Sequence, residues 1–157
     1  MQATRERGSS NEGEGAVPIL ALDFGDRRIG IAVSDELGLY AHPLMTLERT
    51  AWKNDLEAIR HIVEERQVRR IVVGMPLDMD GSRGRRVGKT ERFMARVRQA
   101  TGLEVVPWDE RLTTVEAERT LLRGDMSRAR RRRVIDQVAA VIILQTYLDA
   151  RGAGREP

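Results

Sequence analysis

The chain has no cysteine among its 157 residues, which excludes disulfides and thiolate metal ligands and fits a reducing compartment. The cytoplasm is therefore the expected location. Histidine is almost as scarce. His42 and His61 each stand alone with no partner at metal-ligand spacing, so both read as structural or surface residues and a zinc centre is not expected. Long apolar runs are missing too. Nothing approaches the ~18 to 20 apolar residues that span a bilayer, and no membrane partner is expected. The first fifteen residues, rich in Gly, Glu and Ser, lack the apolar centre of a secretory signal. Residues 1–16 read as a disordered leader, 17–150 as one domain and 151–157 as a disordered tail.

What the chain has in quantity is charge. Lys and Arg number 27 against 24 Asp and Glu, a net charge of only +3. The isoelectric point of about 9.9 overstates the basicity at pH 7, because almost all the cations are Arg and very few groups titrate between pH 7 and 10. Distribution matters more than the total. Positive charge gathers at Arg83, Arg85, Arg86, Lys89 and Arg92, and again from Arg128 to Arg133, two clusters able to contact phosphates or simply to face solvent.

Residues 17–24 and 28–34 are apolar runs joined by Gly25-Asp26-Arg27, which predicts a β-hairpin. A third strand is expected over 44–47, after Pro43. Trp52, Leu56, Ile59 and Val63 then recur at helical spacing. A buried-type strand over 70–75 follows, closed by Pro76, then an Asp- and Gly-rich loop over 77–84. A helix built on Phe93, Met94 and Val97 should end near Gly102. Residues 104–108 form a fifth strand, which Pro107 assigns to an edge or a strand end. Thr113-Thr114-Val115-Glu116 reads as a capping box that opens another helix, and a last apolar helix runs from about Val134 to Leu148. Three consecutive strands followed by strand-helix alternation imply an α/β fold with a mixed five-stranded sheet and helices on its faces. Ligands of such sheets sit beyond the ends of central strands.

Three acidic positions then stand out. Asp23 ends an apolar strand, where a carboxylate is costly to bury unless it is neutralised. Asp109-Glu110 follows the fifth strand directly. Neighbours on an extended chain point to opposite faces, so one of the two reaches a shared site, and Glu110 is preferred. Asp136 lies near the start of the last helix, with Ala139 and Ala140 on the same side to let the helix approach the sheet. Each has a plainer reading on its own: a turn carboxylate for Asp23, a dipole-favoured residue for Asp136. Together they form a hard, all-oxygen donor set suited to Mg²⁺ or Mn²⁺. Two such ions can assist phosphodiester hydrolysis. The Asp23-Phe24-Gly25 triplet also spells the kinase DFG, but the chain is too short for a kinase and has neither a Gly-rich phosphate loop nor an HRD triplet. The Asp-x-Gly hairpin is also similar to the first phosphate motif of actin-like ATPases, which need two domains where this chain has one.

The segments Ala21-Leu22-Asp23-Phe24-Gly25 with Arg28-Ile29-Gly30-Ile31-Ala32, Val73-Gly74-Met75-Pro76-Leu77 with Met79-Asp80-Gly81-Ser82, Asp109 through Ala117, and Asp136 through Leu144 occur in that order. As a set they resemble the YqgF/RuvX family of Holliday junction resolvases and pre-16S rRNA nucleases. The resemblance implies an RNase H-like, RuvC-like fold with an acidic site at Asp23, Asp109, Glu110 and Asp136. It further implies a metal-dependent nuclease acting in maturation of the 5′ end of 16S rRNA, with a pre-ribosomal particle as partner. Arg83, Arg85, Arg86, Arg111, Arg131 and Arg132 would contact the nucleic acid. Two other readings remain open: a resolvase of branched DNA, which would act as a homodimer rather than a monomer, and a non-catalytic nucleic-acid-binding assembly factor. Asp78 stands where the family usually has Asn, adding a negative charge to the phosphate-facing loop, and Met75 where it usually has Leu.

Overall fold

A computed structural model of the chain describes residues 16–77, 84–109 and 128–152. Strand β1 (Ile19–Phe24) turns back at Gly25-Asp26-Arg27 into β2 (Arg28–Ser34), and the two pair antiparallel with Leu20 opposite Val33 and Asp23 opposite Gly30. β3 (Ala41–Glu48) adds antiparallel to β2. Helix α1 (Trp52–Arg66), β4 (Arg70–Met75), helix α2 (Arg85–Thr101), β5 (Val105–Asp109) and helix α3 (Arg128–Gly152) complete the order. The sheet runs β3-β2-β1-β4-β5, with β1, β4 and β5 parallel. The mixed sheet, its five strands and the switch from antiparallel to parallel pairing are as the sequence pattern predicts.

Two boundaries differ from the prediction. β3 begins at Ala41 rather than at residue 44, so it includes Pro43. The strand accommodates a residue with no N–H donor because it is an edge strand, and its register against β2 shifts between Ile31 and Ala32 beside that proline. Pro107 likewise lies in the other edge strand, β5. The last helix begins at Arg128, not near Val134, and reaches Gly152. Its arginine-rich first turns show no apolar period, which is why the pattern misplaced its start. The helix expected from the capping box at Thr113 lies outside the described residues.

The sheet separates two cores. Leu20, Leu22 and Phe24 of β1 face α1 and α2, where they meet Ile59, Val63, Phe93, Met94 and Val97. Ile19 and Ala21, alternating with them, face α3 and pack on Ala140, Ile143, Leu144 and Tyr147. Both helices on the first face end in left-handed caps: Gly102 after α2, as predicted, and Gln67 after α1. On the α3 face the buried Arg70 donates to the Tyr147 hydroxyl and to Glu104, each at 2.8 Å, tying β4 to the last helix and to the approach of β5. Among the described residues no helix is long and apolar enough to cross a membrane.

Candidate active site

The parallel strands β1, β4 and β5 all run toward the same edge, ending at Phe24, Met75 and Asp109. Period-two alternation then decides which side chains share a face. Asp23 has the parity of Ile19 and Ala21, so it belongs to the α3 face. It is half-buried, in keeping with a carboxylate at the rim of a core. Arg28 and Gly30 of β2 have the parity of Ala32 and share that face.

Asp136 arrives from the other layer. It lies eight residues beyond Arg128, more than two turns into α3. A dipole effect confined to the first turn therefore does not account for it. The sheet admits the helix here because Gly30 has no side chain: a Cβ at that position would run into the main-chain carbonyl of Asp136. Ala139 and Ala140, both buried, continue the close contact along the helix, as the sequence suggested. Since Gly30 pairs with Asp23, the approach brings Asp136 to the neighbourhood of Asp23.

The Asp136 carboxylate is half-buried, and Oδ2 accepts a 2.8 Å hydrogen bond from Nε of Arg28. Burial pushes its pKa up, the Arg28 hydrogen bond and charge pull it down, and Glu48, opposite Arg28 on β3, pushes it up again. Desolvation is the largest of these, so the carboxylate is under-neutralised by Arg28 alone. A site with that imbalance favours a further cation.

Asp109 ends β5 and is exposed. Trp108, its neighbour, belongs to the α3 face, where it packs edge-on against Tyr147 at 5.4 Å and donates from its indole to Thr146. By alternation Asp109 points to the opposite face from Asp23 and Asp136. Glu110, Arg111 and Arg83 lie outside the described residues, as does the Asp78 loop. Arg85 and Arg86 are exposed at the start of α2. Arg131 and Arg132 fall in the first turns of α3, and their side chains lie outside the described set. Among the described residues no group of three His, Cys, Asp or Glu side chains is arranged to hold a metal ion. Asp23 and Asp136, half-buried and on the same face, could offer hard oxygen donors of the type that suits Mg²⁺ or Mn²⁺ rather than a soft ion.

Arg28 and Gly30 contact Asp136, a pairing that the sequence reading did not assign. A lone glycine inside an otherwise apolar strand does signal close backbone approach, and Gly30 has that pattern. Nothing local marks Arg28, whose partner is 108 residues away.

The family model that matches residues 17–150 is RuvX, described as a Holliday junction resolvase. The chain belongs to the RuvX family. A RuvX-family relative from Myxococcus xanthus, named "Putative pre-16S rRNA nuclease", is 52% identical over 131 residues, covering 83% of this chain and 87% of the relative. A Clostridioides difficile protein of the same name is 50% identical over 131 residues, covering 83% and 93%. These names make the family one of nucleases. In fold, the chain is similar to the RuvC of T. thermophilus in complex with a Holliday junction substrate, with a TM-score of 0.59 at 13% identity, covering 88% of this chain and 98% of that one. A second T. thermophilus RuvC structure gives 0.51 at 13% identity, covering 87% and 97%. The fold of this RuvX protein is accordingly RuvC-like, of the RNase H-like type.

Proposed function

We propose that this RuvX protein is a divalent-metal-dependent nuclease that hydrolyses RNA phosphodiesters in the maturation of the 5′ end of pre-16S rRNA. It would act in the cytoplasm on a pre-ribosomal particle, as a monomer or a homodimer. The observation that supports the reading is the close approach of the Asp136 main chain to Gly30, the β2 partner of Asp23, on the α3 face of the sheet. Asp23, Asp136 and a third carboxylate from the Asp109-Glu110 pair would hold Mg²⁺ or Mn²⁺. Glu110, two residues beyond Trp108 in the sequence, is the preferred third ligand over Asp109. Bound there, two such ions would supply an activated water and charge stabilisation for the leaving oxygen.

The protein's own groups do the positioning. The Arg28 guanidinium fixes one oxygen of Asp136 and leaves the other for a ligand. The rigid backing of α3 on Gly30, Ala139 and Ala140 sets the depth of that carboxylate. Arg83, Arg85 and Arg86, with Arg111, Arg131 and Arg132, would contact the phosphate backbone, giving binding that weakens with salt.

The experiment compares wild type, Glu110→Gln and Asp109→Asn on a single-stranded RNA spanning a pre-16S 5′ end and on a four-way DNA junction, with Mn²⁺ or Mg²⁺. RNA cleavage by wild type and Asp109→Asn, with a loss of about 10²-fold or more in Glu110→Gln, is expected. Paired, symmetric cuts in the junction with intact RNA would replace this reading by junction resolution. Binding with no turnover on either substrate would make the protein an assembly factor. An unaffected Glu110→Gln beside an inactive Asp109→Asn would move the third ligand to Asp109.

A further inference from the structure

The end of β1 has a second side. Phe24 follows Asp23, and alternation turns its ring to the α1/α2 face, where it stacks on Phe93 at 4.1 Å and lies alongside Trp52 at 6.0 Å. The Phe24 and Trp52 rings floor a cleft of about 310 Å³, walled by Arg49, Lys89, Arg92 and Arg96, with Asp26 at its rim. Four cations therefore face one carboxylate among the described residues that line it.

Those cations do different things. Arg49 is committed to the fold: its Nη1 donates to the Gly25 and Asp26 carbonyls at 3.1 and 3.2 Å, its Nε lies 3.6 Å from the buried Asp55, and its guanidinium covers Phe24 and Trp52 at 4.5 and 4.8 Å. It holds the β1–β2 turn, and so the position of Asp23, against α1. Lys89 shares a weak 3.6 Å pairing with the exposed Asp26. Arg92 and Arg96 are exposed and have no carboxylate partner among the described residues. Arg96 is nevertheless held in place, its guanidinium 4.6 Å over the Trp52 ring. A cation–π contact of this kind uses the flat face of the guanidinium and leaves its N–H edges free for a bidentate acceptor.

Lys89, Arg92 and Arg96 are spaced i, i+3 and i+7 along α2, so they form one stripe of like charge, an arrangement that costs stability in the free protein. An anion relieves it. Because the rings of the floor are already covered by guanidinium groups, the cleft offers phosphate contacts rather than a base-stacking platform. We propose that this cleft is a backbone clamp: it binds a phosphodiester of the substrate strand on the α1/α2 side of the sheet edge, next to the phosphodiester presented to Asp23. This rests on the nuclease reading above. It adds Arg92 and Arg96 as the principal contacts, with Lys89 in support, on the face opposite the carboxylates.

The test reads binding without cleavage. A short fluorescent single-stranded RNA is titrated in chelator with wild type, with Arg92→Ala/Arg96→Ala, and with Arg66→Ala/Arg69→Ala. The last pair removes the same charge from exposed positions near the start of β4, at the opposite end of the sheet. The expected result is affinity about tenfold or more weaker for the cleft pair only, with the slope of log affinity against log salt smaller by about 1.4, the value for two single-strand phosphate contacts. Equal losses in both pairs would overturn the clamp. So would displacement of the RNA by adenosine monophosphate as effective as by unlabelled oligonucleotide, since the cleft would then be a free-nucleotide site. Restoring metal separates the two claims. A wild type that shows the cleft-specific loss but never cuts leaves the clamp standing and removes the nuclease reading, whereas cleavage by wild type with an unaltered cleft pair does the reverse.

Discussion

Asp23→Asn is expected to lower the cleavage rate by about 10³-fold or more with the fold intact. The amide keeps the size of the carboxylate, and Asp23 is half-buried at a strand end, so packing against α3 changes little. What is lost is one negative oxygen donor facing the site. Lewis-acid assistance contributes several kcal/mol to a phosphodiester transition state, and each ~1.4 kcal/mol is a factor of ten in rate. The substitution changes charge and not size, so the melting temperature should stay within a few degrees of wild type. Cleavage within about threefold of wild type would show that Asp23 is an ordinary strand-end carboxylate. A matching fall in melting temperature would show that its role is structural.

Gly30→Ala should destabilise the protein and lower its activity. The added carbon meets the main-chain carbonyl of Asp136, and both partners are backbone, so no side chain can swing aside. Relief requires α3 to move outward. The helix is anchored on the sheet by Ala139, Ala140, Ile143, Leu144 and Tyr147, so lifting it loosens that whole layer. Overpacking of this kind costs about 1 to 3 kcal/mol, or about 3 to 10 °C in melting temperature for a domain of this size. Activity should fall further than stability explains, because the carboxylate of Asp136 moves with its helix. Gly88→Ala supplies the contrast. Its Cβ would sit in ordinary contact, 3.7 Å from the Arg92 guanidinium, inside α2. Helix propensity then makes that variant neutral or more stable by up to ~1 kcal/mol. Equal melting temperatures for the two variants, measured calorimetrically, would show that the helix does not press on Gly30.

Much of this arrangement could be read from residue patterns, because the patterns that count are local. Alternation and turn residues mark the β1–β2 hairpin, Gly102 marks the end of α2, and Pro107 marks β5 as an edge. Ala139 and Ala140 correctly signal a close helix. The unread features depend on partners far apart in the chain. The Arg28–Asp136 ion pair joins residues 108 apart, and the cleft brings Arg49 and Trp52 against Arg92 and Arg96. Arg96 in particular looks like any helix-surface arginine until Trp52 is placed beneath it. The start of α3 is hidden for a different reason: a run of arginines carries no hydrophobic period, although arginine itself favours a helix. Asp136 changed meaning as a result. A residue that looked like a helix-start carboxylate sits deep in a helix, desolvated, with an arginine on one oxygen.

The central claim is that Asp23 and Asp136 form one cation site. A calorimetric Mn²⁺ titration of wild type, Asp23→Asn, Asp136→Asn and the double variant tests it most directly. The account predicts that each single substitution abolishes the tight isotherm and that the double loses nothing further, the non-additivity of two ligands to one ion. Wild-type Mn²⁺ binding by Asp136→Asn, or independent and additive losses in the two single variants, would contradict it.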